Sequence, residues 1–335
     1  MRISVVVPTY RRPESLTRCL DALDAQRRLA EETVVVIRRD DANSAALARS
    51  RARAVRVVLV ERPGVVAAMN AGLDTCSGDV VALTDDDAAP HADWLARIAD
   101  AYAGDPRIVA VGGRDWVYSY RTGRLRDESE PVVGAVNWFG RVTGNHHAGV
   151  GPARDVDVLK GVNLSVRSDL LRRVRFDERL RGVGTEHHWE LALCLTLRRL
   201  GGRIVYDPAI AVDHHPQPRV DDSRKFDARE LSDATHNKTV ALLEYLPFPR
   251  GGLYLLWGAA IGTSSAPGAA HLVRSLRPGG AGWSLFRGAQ AGLIEGLRTY
   301  RRSRAARRRE RGGRGRRGGS AHATVGAGRR GASIG

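Results

Sequence analysis

The stretch Val80-Val81-Ala82-Leu83-Thr84-Asp85-Asp86-Asp87 decides how this chain is read. A short apolar run, strand-like in its length and β-branched content, ends in three consecutive carboxylates. Three such groups repel one another unless positive charge sits among them, and a hard divalent cation bound to phosphate oxygens is the usual partner. A nucleotide diphosphate with its metal is therefore the first expectation here. The alternative is an acidic turn capping a helix that begins near Ala92, since Asp is a good N-cap.

Outward from this point, strands and helices alternate. Residues 3–7 are a β-branched run, and Leu16, Leu20 and Leu23 recur at helical spacing after Pro13. A second strand is expected at 33–37, leading to Asp40-Asp41, and a third at 55–60, before Arg62-Pro63-Gly64. A helix over 65–73 closes at Ser77-Gly78, and 80–83 is the fourth strand. Such alternation predicts an α/β domain with a mostly parallel sheet covered on both faces. Ligands of such sheets sit outside the carboxyl ends of the strands. Three of the four ends carry groups suited to a nucleotide: Pro8-Thr9-Tyr10-Arg11, Asp40-Asp41 and Asp85-Asp86-Asp87.

In order and spacing these features resemble the family 2 glycosyltransferases, enzymes with a GT-A fold. The match consists of the strand running into Pro8-Thr9-Tyr10, an acidic residue after the second strand, Gly64 to Gly72 with Asn70, and Gly78-Asp79 followed by the acidic triplet. Lys160 to Arg167 is similar to the family's Gly-x-Asn acceptor-side segment. Phe176-Asp177-Glu178, Gly201-Gly202-Arg203 and Tyr206-Asp207-Pro208 also follow the pattern, so the resemblance covers residues 2–215.

The resemblance implies a Rossmann-like GT-A domain and an inverting, hexosyltransferase-type enzyme that uses a nucleotide-sugar donor and Mg²⁺ or Mn²⁺. Asp87 would coordinate the metal, and a histidine of Asp213-His214-His215, His214 first, would add a ligand. Asp85 and Asp86 would contact the ribose or complete the metal's surroundings. Asp40 or Asp41 would accept hydrogen bonds from the base. Pro8, Thr9, Tyr10, Arg11 and Asn70 would line the nucleotide-sugar site, with Arg11 suited to phosphate by its planar donors. Gly161 and Asn163 would face the acceptor.

The expected Glu-Asp pair that supplies the family's base is missing. In Thr185-Glu186-His187-His188-Trp189-Glu190-Leu191, two histidines stand in its place. Transfer with inversion needs a group to take the acceptor hydroxyl's proton, and Glu186, His188 and Glu190 can each do so. Glu186 is preferred over His188, because a loop shift of one or two residues brings it to the usual place. The missing pair also raises the alternative of a catalytically silent relative that binds nucleotide.

The net charge of +16 is concentrated at one end: from Arg298 onward there are thirteen Arg and one Glu, a net +12. This Arg/Gly-rich stretch has too few apolar residues to bury a core, and is expected to be disordered. RNA binding through it is a competing reading, but it leaves Asp85 to Asp87 without a role, and nucleic acid is not an expected partner. Residues 251–262 are strongly apolar yet too short to span a bilayer. An interfacial helix over 251–273 and the basic tail predict attachment to an anionic membrane surface. The expected organisation is a GT-A domain at 1–220, a helical, partly apolar, membrane-associating segment at 221–297 and a disordered tail at 298–335. Cys19, Cys76 and Cys194 are scattered, which suggests neither disulfides nor zinc and fits a reducing cytoplasm. With a strand starting at residue 3, no signal peptide is expected. Together these features place the protein in the cytoplasm, peripheral at the inner face of the cell membrane, with a lipid-linked or glycan acceptor and a role in cell-envelope synthesis.

Overall fold

The computed structural model describes residues 1–182, 184–217, 227–275 and 282–318. In chain order the elements are β1 (Ile3–Thr9), α1 (Pro13–Asp24), β2 (Glu32–Arg38), α2 (Ala42–Arg49), β3 (Arg56–Val60), α3 (Val65–Thr75), β4 (Val80–Leu83), β5 (Ala88–Pro90) and α4 (Trp94–Gly104). Then come β6 (Ile108–Val117), β7 (Ala135–Val136), β8 (Val142–Thr143), β9 (Arg154–Asp155), β10 (Leu164–Arg167), α5 (Ser168–Val174), α6 (Trp189–Arg199) and β11 (Arg203–His214). Four helices follow: α7 (Ala228–Tyr245), α8 (Arg250–Ala260), α9 (Ala269–Ser275) and α10 (Gly282–Gly318).

The main sheet runs β3-β2-β1-β4-β10-β6-β11-β5, with β9 beside β11. Pairing is parallel from β3 to β4 and between β6 and β11, while β10 is antiparallel to both its neighbours. Side-chain alternation explains why both faces are covered. Val5, Val7, Val35 and Ile37 pack with α1, α2 and α4 on one face, and Val6, Val34 and Val36 pack with α3 and α6 on the other. Strand order reverses at β1, which has β2 on one side and β4 on the other. The carboxyl ends of these three strands therefore open onto one crevice.

Three features refine or change the expected pattern. First, β11 continues past Asp207-Pro208 through an irregularity between Asp207 and Val212, so Asp213 and His214 are strand residues. Pro208, with no N–H to give, sits in that interruption. Second, Asp87 caps no helix: α4 starts later, at Trp94, and the Asp87 carboxylate faces His214 and the Gln217 N–H instead. Third, where the Arg-rich composition predicts an unfolded tail from Arg298, α10 stays helical to Gly318. Its earlier turns are held by burial of Leu293 and by Leu297 and Tyr300 packing against the core, and arginine is a good helix former. Residues 319–335 of the expected tail lie outside the described residues. Leu242, Leu243, Tyr254 and Leu293 join the same core cluster as Val6 and Val36. Among the described residues, no helix is long and apolar enough to cross a membrane.

Candidate functional site

A cleft of about 390 Å³ lies over the ends of β1, β2 and β4, walled by Pro8, Thr9, Tyr10, Arg12, Asp85, Asp86, Asp87, Trp189, Glu190 and His214, among others. Asp85, Asp87 and His214 each turn a ligand atom to one spot, all within 4.8 Å of one another, forming a group able to hold a metal ion. The polypeptide brings them together because the His215 N–H donates to the Asp87 carbonyl, 2.9 Å away, locking the end of β11 to the turn after β4.

The imidazole is oriented from behind. His214 Nδ1 lies 3.4 Å from Asp115 Oδ2 and Nε2 lies 3.4 Å from Asp87 Oδ1. Asp115 is fully buried on β6 and accepts from the Lys160 ammonium. A carboxylate behind one ring nitrogen, leaving the other turned to a neighbouring acid, is the arrangement that steers a metal-ligating histidine. Burial works against a charge on His214, but the hydrogen bonds to Asp115 and Asp87 carry its pKa up to about 9. Burial also opposes the charge on Asp87, yet His214, the Gln217 N–H and Arg12 hold its pKa below the usual carboxylate range. At Asp85 the balance goes the other way: burial and the charges on Asp87 and Glu190 raise its pKa to about 6, outweighing the pull of His214 and Lys160. Two carboxylates and an imidazole, one acid pushed toward protonation, are a donor set that suits a divalent cation.

The other acids have different surroundings. Asp86 accepts from Thr9 Oγ1 at 2.7 Å and from Arg12 Nη1 at 3.0 Å, and the same Arg12 nitrogen reaches Asp87 Oδ2 at 3.3 Å. It is thus Arg12 that turns into the cleft, whereas Arg11 pairs with Asp40 at 3.2 Å. Arg11 has a left-handed backbone, φ 55°, which turns the chain as it leaves β1. Asp41 is buried, caps α2 by accepting from the Ser44 N–H, and also accepts from the Arg11 N–H. Asp40 is exposed and is bound by Tyr10 Oη at 3.0 Å and by Arg38 at 3.1 Å. Of the two acids after β2, Asp40 therefore faces solvent at the cleft rim and Asp41 is structural.

Several sequence-predicted residues serve the framework. Asn70 exchanges two hydrogen bonds with the Phe176 backbone and fixes α3 to the segment before Asp177. Asn163 is buried, accepting from Trp94 Nε1 at 2.8 Å and donating to the carbonyls of Ile210 and Arg114. Gly161 lies against the Trp189 indole, where a Cβ would clash. Glu186 accepts from the Val66 N–H at 3.2 Å at the start of α3, beside Gly64, whose φ of 118° suits glycine. Burial raises the Glu186 pKa, opposed by the N–H groups of Val66 and Val65. His188 stands in left-handed conformation, φ 66°, before α6, and burial with Lys238 and His187 nearby lowers its pKa to about 3. Glu190, in the first turn of α6 on the cleft wall, has a pKa raised by burial against the pull of the Gly161 N–H, and is close enough for Asp85 to feel its charge. No role for Arg12, Asp115 or Lys160 is evident from sequence alone, although Lys160 opens the Gly161 segment.

Comparison with known proteins agrees with this geometry. Residues 4–150 match the model of glycosyl transferase family 2. The glucosyl-dolichyl phosphate glucuronosyltransferase of Haloferax volcanii is 29% identical over 226 residues, covering 64% of this chain and 69% of that protein. Among solved structures, the Pyrobaculum calidifontis mannosyltransferase with GDP-Man and Mn²⁺ aligns at TM-score 0.51 and 19% identity, over 89% of this chain and 86% of the other. GalNAc-T7 with UDP, GalNAc and Mn²⁺ aligns at TM-score 0.60 and 15% identity over 77% of this chain, which spans half the length of that one. At such identities the structural likeness is one of fold, and the fold is GT-A. Family match, curated relative and architecture point the same way: the chain is similar over residues 4–150 to the family 2 glycosyltransferases and folds as a GT-A glycosyltransferase.

Proposed function

We propose that the protein transfers a sugar from a nucleotide-sugar donor to a hydroxyl of a lipid-linked acceptor, with inversion and with a divalent metal, Mn²⁺ in preference to Mg²⁺. The observation that carries this reading is the convergence of Asp85, Asp87 and His214 at the crevice where strand order reverses. The imidazole in the donor set favours Mn²⁺ over Mg²⁺, which prefers oxygen ligands. When bound, the metal would neutralise the leaving diphosphate. The solved mannosyltransferase and GalNAc-T7 complexes both carry Mn²⁺, and the curated relative is named for a dolichyl phosphate glycan.

The chain's own residues divide the remaining work. Tyr10 and Asp40 stand at the β1 and β2 rim, where a base and ribose would rest. Arg12, between Asp86 and Asp87, supplies positive charge beside the diphosphate. Asp86, itself held by Thr9 Oγ1, and Asp87 fix that guanidinium in place. Across the cleft, Glu190 takes the proton of the attacking hydroxyl, since it lines the cleft and burial raises its pKa toward that of a useful base. Glu186 is turned to the Val66 N–H at the start of α3 and does not line the cleft, and His188 is too weak a base for the task. One base on the acceptor side is enough for a single displacement, which inverts the anomeric centre.

For localisation, the reading is peripheral attachment at the inner face of the cell membrane, in cell-envelope glycan synthesis. Its support is the exposed apolar surface of α8 and the basic residues of α10. The test is a panel of UDP- and GDP-sugars assayed for hydrolysis and transfer with Mn²⁺ and with EDTA. Metal-dependent turnover of one donor is expected. Absence of nucleotide binding across the panel would remove the reading, and binding without turnover would leave the catalytically silent alternative.

A further inference from the structure

A second cavity, of about 710 Å³, lies beside α6 and is walled by residues of α5, α7 and α10. It shares no lining residue with the cleft over β1, β2 and β4. Phe176, Ala192 and Leu193 give it a buried apolar side. The rest of the wall is rich in arginine: Arg173 of α5, Arg175 and Arg179 in the segment that follows, Arg199 of α6 and Arg307 of α10. Against these five stand three acids of the same lining, Asp177, Glu178 and Glu244, which leaves a net +2.

The ion pairs locate that surplus. Arg175 is matched by Asp74 at 2.5 Å, Glu178 by Arg62 at 3.4 Å and Arg179 by Asp177 at 2.7 Å. Glu244 alone answers for both Arg199, at 3.2 Å, and Arg307, at 2.7 Å, besides accepting from Arg179. Arg173 has no ion pair or side-chain hydrogen bond among the described residues. Arg199 bonds only through Nη1 and Arg307 only through Nη2, so among the described residues the other N–H groups of both guanidiniums have no protein acceptor. Both side chains are 46% exposed and within a solute's reach. Free guanidinium edges are the groups that take phosphate oxygens.

We propose that this cavity binds a soluble polyphosphate anion through Arg173, Arg199 and Arg307, tying α10 to α5 and α6. The three side chains come from three elements, so an extended anion meets them where a single phosphate does not. A recess concentrates their field on a solute that enters it, whereas a membrane is too flat to do so. The inference goes beyond the glycosyltransferase reading and does not depend on it.

The experiment is calorimetry on the full chain in EDTA with inorganic tripolyphosphate as probe, beside orthophosphate and phosphatidylglycerol vesicles. Tripolyphosphate should bind saturably, roughly tenfold or more tighter than orthophosphate, and weaken as salt rises. Arg173→Gln with Arg199→Gln should weaken it roughly ten- to hundredfold, as expected for losing charge-assisted contacts. Arg308→Gln with Arg309→Gln makes the same change in charge on α10 outside the cavity, and should leave the affinity within about twofold. Because Arg199 also holds Glu244, Arg173→Gln alone is the second variant: it breaks no protein contact, and should weaken tripolyphosphate several-fold at an unchanged urea midpoint. Equal losses in the two double variants would assign the anion to the basic helix at large and overturn the proposal. So would an unchanged affinity in Arg173→Gln, orthophosphate binding as tightly as tripolyphosphate, or binding to the vesicles without binding to tripolyphosphate.

Discussion

His214 Nε2 lies 3.4 Å from Asp87 Oδ1, although 127 positions separate the two residues in the chain. Without a metal, the imidazolium serves as the local positive charge, and the same pair becomes two ligands when a cation replaces the proton. Asp87→Asn should therefore abolish Mn²⁺ binding measured by calorimetry and cut turnover roughly 10²- to 10³-fold. His214→Ala should weaken Mn²⁺ binding to a smaller degree. EDTA should reproduce the Asp87→Asn phenotype in the wild-type chain, and turnover indifferent to chelator would refute the assignment.

The three candidate bases separate by environment. Glu190→Gln should lower kcat by at least roughly 10²-fold while donor affinity stays near wild type, as expected for losing general-base catalysis. Glu186→Gln should act mainly through the start of α3 and Gly64, lowering stability with a milder effect on kcat. His188→Ala should leave kcat within a few-fold of wild type. An unchanged kcat in Glu190→Gln with a large loss in Glu186→Gln would return the role to Glu186.

Much of this site was legible because strand ends are where the sequence pattern is strongest. The runs leading to Thr9 and Asp85 mark β1 and β4, and parallel pairing brings their ends together. Asp87 and His214 were both expected as metal ligands, and the structure gathers them with Asp85, which was expected either to contact the ribose or to complete the metal's surroundings. What periodicity does not carry is side-chain direction. Arg11 and Arg12 are equivalent in composition, but the left-handed turn at Arg11 is what sends Arg12 inward. Asn163 and Asn70 sit at the right places in their motifs, yet their amides are turned to backbone groups of the core. The capping role of Asp41 was within reach, since Asp three residues before Ser44 is a helix-start signal. The helix beyond Arg298 was missed because composition was weighed above the packing of the residues that precede it.

Asn163 offers a test of framework against acceptor contact. Its side chain closes three hydrogen bonds, to Trp94 on α4, Arg114 on β6 and Ile210 on β11. Removing it leaves two carbonyls and an indole N–H unpaired in the core, at a cost on the order of 2–4 kcal/mol. Asn163→Ala should lower the urea midpoint accordingly while the folded fraction keeps its acceptor KM. A raised KM without loss of stability would instead give Asn163 the acceptor-side role expected from the motif.

The last prediction concerns how α10 is held. Glu244 on α7 accepts from Arg179 at 2.8 Å, Arg199 at 3.2 Å and Arg307 of α10 at 2.7 Å. Burial alone would raise its pKa, but Arg307 and Arg179 outweigh that and hold it down to about 2, against an ordinary value of 4.5. A pKa depressed on folding gives stability that is complete above about 4.5 and disappears as pH falls through about 2. Glu244→Gln should thus destabilise the protein by about 1–3 kcal/mol near neutral pH, where the carboxylate is charged and the arginines lose their partner. The gap between wild type and variant should narrow as pH drops from about 4.5 toward 2, because protonation makes the two side chains alike. Urea unfolding of both chains across that range measures it, and a gap that is constant with pH would show that the arginine cluster does not anchor α10 through charge.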